Sequence, residues 1–79
     1  MNKYAAEILK VAYYQYQQAH SVHCSIQLSG NANDLVAYRN AVRNLFTDGY
    51  IDNLVNNGLS ISFDLSAIGI EYMGTDRKL

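Results

Sequence analysis

The hydrophobic period of this chain changes immediately after His20, and that change fixes the order of its first two elements. Before His20, apolar residues recur at helical spacing from Lys3 to about Ala19, with no Gly or Pro among them. After it, apolar and polar residues alternate from Val22 to Leu28, which is the two-residue period of a half-buried strand. The sequence therefore predicts a first helix that leads directly into a strand.

Turn residues and a second helical pattern follow this strand. The segment Ser29 to Asp34 supplies turn residues and candidate N-caps, and a helix is expected from about Asn33 to Thr47. Gly49 suits the left-handed conformation that ends a helix, because it has no side chain to clash there. The face of this helix that the spacing assigns to the core carries Leu35, Tyr38, Val42 and Leu45, with Phe46 beside them.

The remainder of the chain predicts a hairpin and a short closing helix. Strands are expected from Tyr50 to Val55 and from Leu59 to Phe63. The turn between them is expected at Asn56-Asn57-Gly58, because Asn-Gly tolerates the positive φ angles of tight hairpin turns. A helix from Ala67 to Met73 follows, and its spacing places two apolar residues on one face, Ile68 and Tyr72.

The order helix, strand, helix, two-stranded hairpin and short helix predicts an α+β domain. We expect the strand around Cys24 to join the hairpin as a third strand. A chain of 79 residues is expected to form one domain over residues 1–79. A domain of this size buries only about 60% of its unfolded surface, so it gains from a second copy and a homodimer is expected.

Composition narrows the classes of function. The formal net charge of −1 lacks the strong basic signature of a non-specific nucleic-acid binder, so any DNA contact must come from local clustering. The single cysteine cannot form an internal disulfide, and the N-terminus has no apolar signal-peptide core, so a cytoplasmic protein is expected. No apolar run approaches the ~20 residues that span a bilayer, so no membrane partner is expected.

Two segments resemble parts of winged helix-turn-helix proteins. The run Leu45 to Ile51, Leu-Phe-Thr-Asp-Gly-Tyr-Ile, is similar to the end of a recognition helix and the first wing strand. The run Leu65 to Met73 resembles the helix after the wing, which commonly reads Leu-Thr-x-x-Gly-x-x-Tyr-Leu. Together with the first helix, the chain is similar to small, often phage-associated winged-helix proteins of the YjcQ type. The resemblance covers about Asn33 to Met73, and it implies a compact winged-helix-like domain.

The chain departs from that family pattern in two places. Only Ser29 to Ala32 separates the predicted strand from the second helix, so the helix that normally precedes the recognition helix is missing or reduced to a turn. The hairpin from Ile51 to Ser62 contains no Lys or Arg and carries Asp52, whereas DNA-contacting wings generally present cations to phosphate. We therefore expect a shortened helix-turn-helix and a wing that is unfit for contact with the DNA backbone.

The outward face of the second helix is the main candidate site. Its two arginines lie one turn apart, opposite the apolar face. Arginine binds guanine edges or phosphate, and asparagine reads adenine, so this face suits the major groove of double-stranded DNA. A solvated helix face and recognition of a protein partner are the alternatives. The candidate DNA contacts are Asn33, Val36, Arg39, Asn40 and Arg43.

The first helix carries more aromatic surface than its own core stripe needs. Tyrosine combines apolar area with a hydroxyl that tolerates water, which is typical of interfaces. The alternatives are an amphipathic helix that packs its own core and, less favoured, stacking on single-stranded nucleic acid, for which Lys3 and Lys10 form a poor cationic groove. The predicted seam for a dimer or protein partner is Tyr4, Val11, Tyr13 and Tyr14.

No metal, cofactor or reaction is expected. The run His20 to Cys24 holds three metal-ligand types, but tetrahedral zinc needs a fourth, and strand alternation places His23 and Cys24 on opposite faces. The chain has no nucleophile motif and no phosphate-binding Gly-rich loop. The sequence thus favours a non-enzymatic, DNA-associated regulator. The alternative is a protein-binding adaptor or inhibitor of mobile-element or phage type on the same scaffold.

Overall fold

The computed structural model describes residues 2–76 and the side chains of residues 2–74, and this part of the chain contains three helices and three strands. The elements are α1 (Lys3–Ala19), β1 (His23–Gln27), α2 (Ala32–Thr47), β2 (Ile51–Asn57), β3 (Ser60–Leu65) and α3 (Ala67–Asp76). This is the α+β, winged-helix-like order that the sequence predicts, so the fold class is confirmed.

Helix α1 has the bounds that its spacing predicts. Its N-cap is Asn2, whose side chain accepts a hydrogen bond of 2.9 Å from the backbone N–H of Ala5. Its C-cap is His20, which adopts the left-handed conformation with φ of 55°. The buried residues are Ala5, Ile8, Leu9 and Ala12.

The three strands form one antiparallel sheet in the order β1-β3-β2. Cys24 lies opposite Phe63, and Ile26 lies opposite Ile61. Cys24 is fully buried, and it faces the helices together with Phe63 and Ile61. The prediction that the strand around Cys24 joins the hairpin is therefore confirmed.

A turn, and not a helix, connects β1 to α2 in this fully described stretch of the chain. Asn31 is the N-cap of α2, and it forms a capping box with Asp34, in which each side chain accepts a hydrogen bond from the other's backbone N–H. Because of this box, α2 begins at Ala32, one residue before the predicted Asn33. The shortened helix-turn-helix is thus confirmed.

Phe46 does not belong beside the core face of α2, as the sequence predicted, because its side chain is 47% exposed. The buried residues of α2 are Ala41, Val42 and Leu45. One residue along a helix turns the side chain by about 100°, so Phe46 lies on the far side of Leu45 from Ala41. The core face is therefore rotated toward Ala41 and leaves Phe46 in solvent.

The hairpin turn lies later than predicted. Strand β2 continues through Asn57, and the turn consists of Gly58 and Leu59 instead of Asn56-Asn57-Gly58. A bulge between Asp52 and Val55 shifts the register of β2. Gly58, with φ of 67°, occupies the first position of a two-residue turn, where a positive φ matches the strand twist.

Helix α3 faces the core with a different side from the one predicted. Ile68 and Tyr72 are 56% and 39% exposed, whereas Gly69 and Met73 are buried. Gly69 lies so close to the carbonyl oxygen of Tyr50 that a Cβ at this position would overlap it, so only glycine allows this side of α3 to face inward. Close approach of the two backbones therefore decides which face of α3 is buried.

The core lies between the helices and one face of the sheet. Its largest fully buried side chains are Phe63, Leu9, Leu45, Ile51 and Ile61. Among residues 2–76, the helices are all too short or too polar to span a bilayer.

Candidate recognition surface

The outward face of α2 is open to solvent along three turns. All five candidate DNA contacts are exposed: Asn33, Val36, Arg39, Asn40 and Arg43. The helix can present them because Val42 and Leu45, on its opposite side, anchor it in the core. The structure therefore brings the predicted contacts onto one accessible surface.

Arg39 links this face to the tip of the hairpin. Its guanidinium donates a hydrogen bond of 2.8 Å to the carbonyl oxygen of Gly58. Because Gly58 lies in the turn, this bond holds the wing tip beside α2, an arrangement that the sequence could not reveal. Arginine has five N–H donors, so Arg39 keeps donors for a ligand. Within residues 2–74, Arg43 makes no hydrogen bond or ion pair.

Exposed apolar side chains accompany the two arginines. Val36 and Phe46 on α2 are 58% and 47% exposed, and Leu59 in the hairpin turn is 48% exposed. Sequence reasoning assigned Phe46 to the core and missed Leu59. Arginine and aromatic residues are both enriched in protein interfaces. The arginines of this surface therefore suit a nucleic acid, and together with the exposed apolar side chains they also suit a protein partner.

The local charge of the α2 face is positive although the chain is net negative. Asp34 is the only acidic residue of α2, and its carboxylate accepts hydrogen bonds from the Tyr4 hydroxyl at 3.2 Å and from the backbone of Asn31 at 3.4 Å. These bonds direct Asp34 toward α1 and the helix N-terminus. Arg39 and Arg43 are therefore the ionised groups that the outward face of α2 presents.

The outer face of the sheet is acidic. Asp64 accepts hydrogen bonds from the Asn53 amide at 2.8 Å and from the His23 ring at 3.0 Å. The Asn53 bond first, and then the His23 bond, hold the pKa of Asp64 below its ordinary value. Asp52 lies directly opposite Asp64 in the register of the two strands. This face therefore repels phosphate, and sequence alone missed its His23–Asp64 pair because that pair depends on strand register.

The four residues of the predicted seam on α1 differ in how far they are exposed. Tyr4 packs edge-on against Tyr38 with ring centroids 4.9 Å apart, so it joins α1 to α2. Tyr13 is half-buried and lies 5.9 Å from the Tyr16 ring. Val11 and Tyr14 are 39% and 63% exposed. Tyr14 is therefore the seam residue with the most surface for a partner.

His23 and Cys24 point to opposite faces of β1, as alternation predicts. His23 is exposed, whereas Cys24 is fully buried, and its thiol lies 3.5 Å from the carbonyl oxygen of Ala12. Burial first, and then the charge of Asp64, raise the pKa of the Cys24 thiol above its ordinary value. Across residues 2–76, no group of three or more His, Cys, Asp or Glu is placed to hold a metal ion.

Comparisons of the chain with protein-family models, with curated proteins and with solved structures find no match. The resemblance to winged-helix proteins of the YjcQ type therefore stays a prediction from the sequence.

Proposed function

We propose that this chain is a small, non-enzymatic winged-helix module of the cytoplasm that binds double-stranded DNA as a regulator. The observation that carries the proposal is the outward face of α2, on which Arg39, Asn40 and Arg43 are exposed together and unopposed by an acid of the same helix. No cofactor or membrane contact is part of this function.

The chemistry of the face suits the major groove. That groove is about 12 Å wide and admits one α-helix. Arg43 has the fork of donors that binds O6 and N7 of guanine, and Asn40 has the amide that reads adenine. Val36 offers an apolar contact for a thymine methyl. Arg39, already bonded to Gly58, is placed to position a phosphate with its other donors.

Net charge is a poor guide to binding in a domain of these dimensions. At physiological ionic strength, electrostatic interactions between exposed charges are screened over about 8 Å. The smallest extent of the domain is 21 Å. A phosphate at the α2 face therefore interacts mainly with the charges within about 8 Å of it, and on the outward face of α2 these are Arg39 and Arg43.

The test compares two double variants that remove the same charge. Arg39→Gln/Arg43→Gln changes the α2 face, and Lys3→Gln/Lys10→Gln changes α1. Duplexes selected from a random pool are titrated with each variant at several salt concentrations, and circular dichroism checks the fold. We expect the arginine variant to lose specific binding and to show a flatter salt dependence, while the lysine variant keeps its specificity. Undiminished binding by the arginine variant, or equal losses in both, would contradict the proposal.

A protein-binding adaptor or inhibitor is the second candidate, and the exposure of Phe46 and Leu59 favours it. An aromatic residue beside arginines is a frequent binding hot spot. Under this alternative, no duplex binds even at low salt, and Phe46→Asn releases a co-purifying protein. Under the DNA proposal, Phe46→Asn leaves duplex binding within about twofold of the unmodified chain.

We also propose that two copies associate through α1 at Tyr14. Light scattering of the unmodified chain and of Tyr14→Ser measures this directly. The unmodified chain is expected to have the mass of a dimer, and the variant that of a monomer. A monomer in both cases would contradict the pairing.

A further inference from the structure

Strand β1 is an edge of the sheet, because in the order β1-β3-β2 it neighbours β3 alone. The backbone groups of Val22 and Leu28 point toward the hairpin, since Val22 accepts a hydrogen bond from Leu65 and Leu28 donates one to Leu59. Successive residues in an antiparallel strand point their backbone groups to opposite sides. Ser25 and Gln27 therefore direct their N–H and C=O groups away from the sheet.

A side-chain amide already occupies the outward groups of Ser25. The Gln15 amide donates to the Ser25 carbonyl at 3.1 Å and accepts from the Ser25 N–H at 3.3 Å. This pair of bonds reproduces the way in which a peptide group of an added strand would bond to the edge. Because both bonds are exposed to solvent, another amide can replace that of Gln15.

A groove runs between α1 and this edge. Its volume is about 340 Å³, within the range of about 300 to 1,000 Å³ that is usual for ligand sites. Tyr38 of α2 also lines it. Its apolar wall comes from two residues of α1, Ile8 and Val11, and from Ile26 of β1 and Leu28 just after that strand.

One carboxylate gives this groove its charge. Glu7 is the only ionised side chain among the described residues that line it. The Tyr38 hydroxyl donates a hydrogen bond of 2.8 Å to Glu7 Oε1, which fixes the carboxylate at the groove. A carboxylate has about four acceptor sites, so others remain for a ligand. An aliphatic stem with a cationic end matches this combination of apolar wall and carboxylate.

We propose that α1 and β1 form a docking groove for an extended peptide segment of a partner protein, which adds a strand at Ser25 and Gln27 and places a lysine or arginine side chain against Glu7. In this mode, main-chain hydrogen bonds supply affinity and a pocket for an alternate side chain supplies specificity. The groove is independent of the α2 face, so the proposal holds whether or not the chain binds DNA.

The first test uses the full chain and two labelled peptides with blocked ends. One reads Ser-Thr-Val-Thr-Lys-Thr-Val-Thr-Ser, and the other has Met in place of Lys. Fluorescence anisotropy is expected to show about fivefold tighter binding of the Lys peptide, the upper range for an exposed ion pair. Glu7→Gln is expected to abolish that difference in affinity without weakening the binding of the Met peptide. Equal binding of the two peptides to the unmodified chain, or no binding of either, would overturn the proposal.

The second test examines the strand pairing. Amide resonances of Ser25 and Gln27 are expected to shift when the Lys peptide binds. Ser25→Pro removes an outward N–H and leaves the hydrogen bonds to β3 intact, so it is expected to weaken the binding of the Lys peptide at least fivefold. A Lys peptide that is N-methylated on alternate residues probes the same hydrogen bonds on the unmodified chain, should that variant not fold.

Other occupants of the groove give different results. Binding of N-acetyl-lysine amide as tightly as the peptide would show a site for a small amine and would overturn the strand addition. Shifts of the Ser25 and Gln27 amides on dilution of the chain alone, together with a change of mass in sedimentation, would assign the groove to a second copy and overturn the partner peptide.

Discussion

The inward side of α3 leaves no room for a side chain at Gly69. A Cβ at this position would overlap the carbonyl oxygen of Tyr50 and lie 2.9 Å from Cδ1 of Leu65. The Tyr50 carbonyl also accepts a hydrogen bond of 3.1 Å from the backbone of Ser66. Ser66 caps α3 through Oγ, which accepts from the Gly69 N–H at 3.0 Å and donates to the Gly49 carbonyl at 2.6 Å. Gly69→Ala must therefore move α3 away from Tyr50 and disturb its cap.

Three contributions determine the expected change in the free energy of unfolding, of which one is stabilising and two are destabilising. Replacing Gly by Ala inside a helix normally stabilises it by about 1 kcal/mol. Forcing a methyl group into a packed site costs roughly 1 to 3 kcal/mol. Loss of the Ser66–Tyr50 hydrogen bond adds about 0.5 to 1.5 kcal/mol. The net destabilisation is about 0.5 to 3.5 kcal/mol, and each kcal/mol lowers the Tm of a domain of this size by roughly 4 to 8 °C.

Thermal and urea unfolding, followed by circular dichroism, measure this effect, and Gly74→Ala is the matched control. Gly74 lies in the same helix, but a Cβ there meets only Tyr13 Oη at 3.6 Å, an ordinary contact. The control is expected to raise stability by up to about 1 kcal/mol through helix propensity. A Gly69→Ala variant that is as stable as the unmodified chain, or that behaves like Gly74→Ala, would refute the close approach of α3 to Tyr50.

Two further predictions concern stability. The folded pKa of Asp64 lies below its unfolded value near 4, so its bonds stabilise the fold above that pH, and the contribution is lost as the pH falls through the folded pKa. The Tm of the unmodified chain is therefore expected to fall more steeply than that of Asp64→Asn between about pH 5 and pH 2; parallel curves would contradict the role of this carboxylate. Asn31→Ala removes the cap of α2 and is expected to cost about 0.5 to 2 kcal/mol in urea unfolding. The exposed Asn33→Ala is expected to change stability by less than about 0.5 kcal/mol, and equal effects would argue against the capping box.

The periodic features of this fold could be predicted from the sequence because each is set by neighbours a few residues away. The helical stripe of α1 and the alternation around Cys24 depend on local geometry alone. The exposure of Arg39 and Arg43 follows in the same way from the apolar side of α2. Local pattern therefore located the candidate DNA face correctly on the surface.

The remaining features depend on contacts between distant residues, and no local pattern encodes them. The hairpin turn lies later than predicted because Asn56 and Asn57 pair with Ile61 and Ser60 of β3, which extends β2 through Asn57. The need for glycine at position 69 comes from the approach of the Tyr50 backbone, which the spacing of apolar residues in α3 does not show. The Gln15–Ser25 bonds join α1 to the edge strand β1. The sequence does not show which residues of β1 direct their backbone groups away from the sheet.

The number of copies that engage DNA can be derived from the salt dependence of binding. Each phosphate contact contributes about −0.9 to the slope of log K against log salt concentration, so the two arginines of one α2 face give no more than about −1.8. A dimer that places both α2 faces on one duplex gives up to about −3.6. A slope steeper than about −4 would require cations outside α2, such as Lys3 and Lys10, and would contradict the assignment of binding to Arg39 and Arg43. A slope steeper than about −1.8 from a chain with dimer mass would mean that both α2 faces reach the duplex.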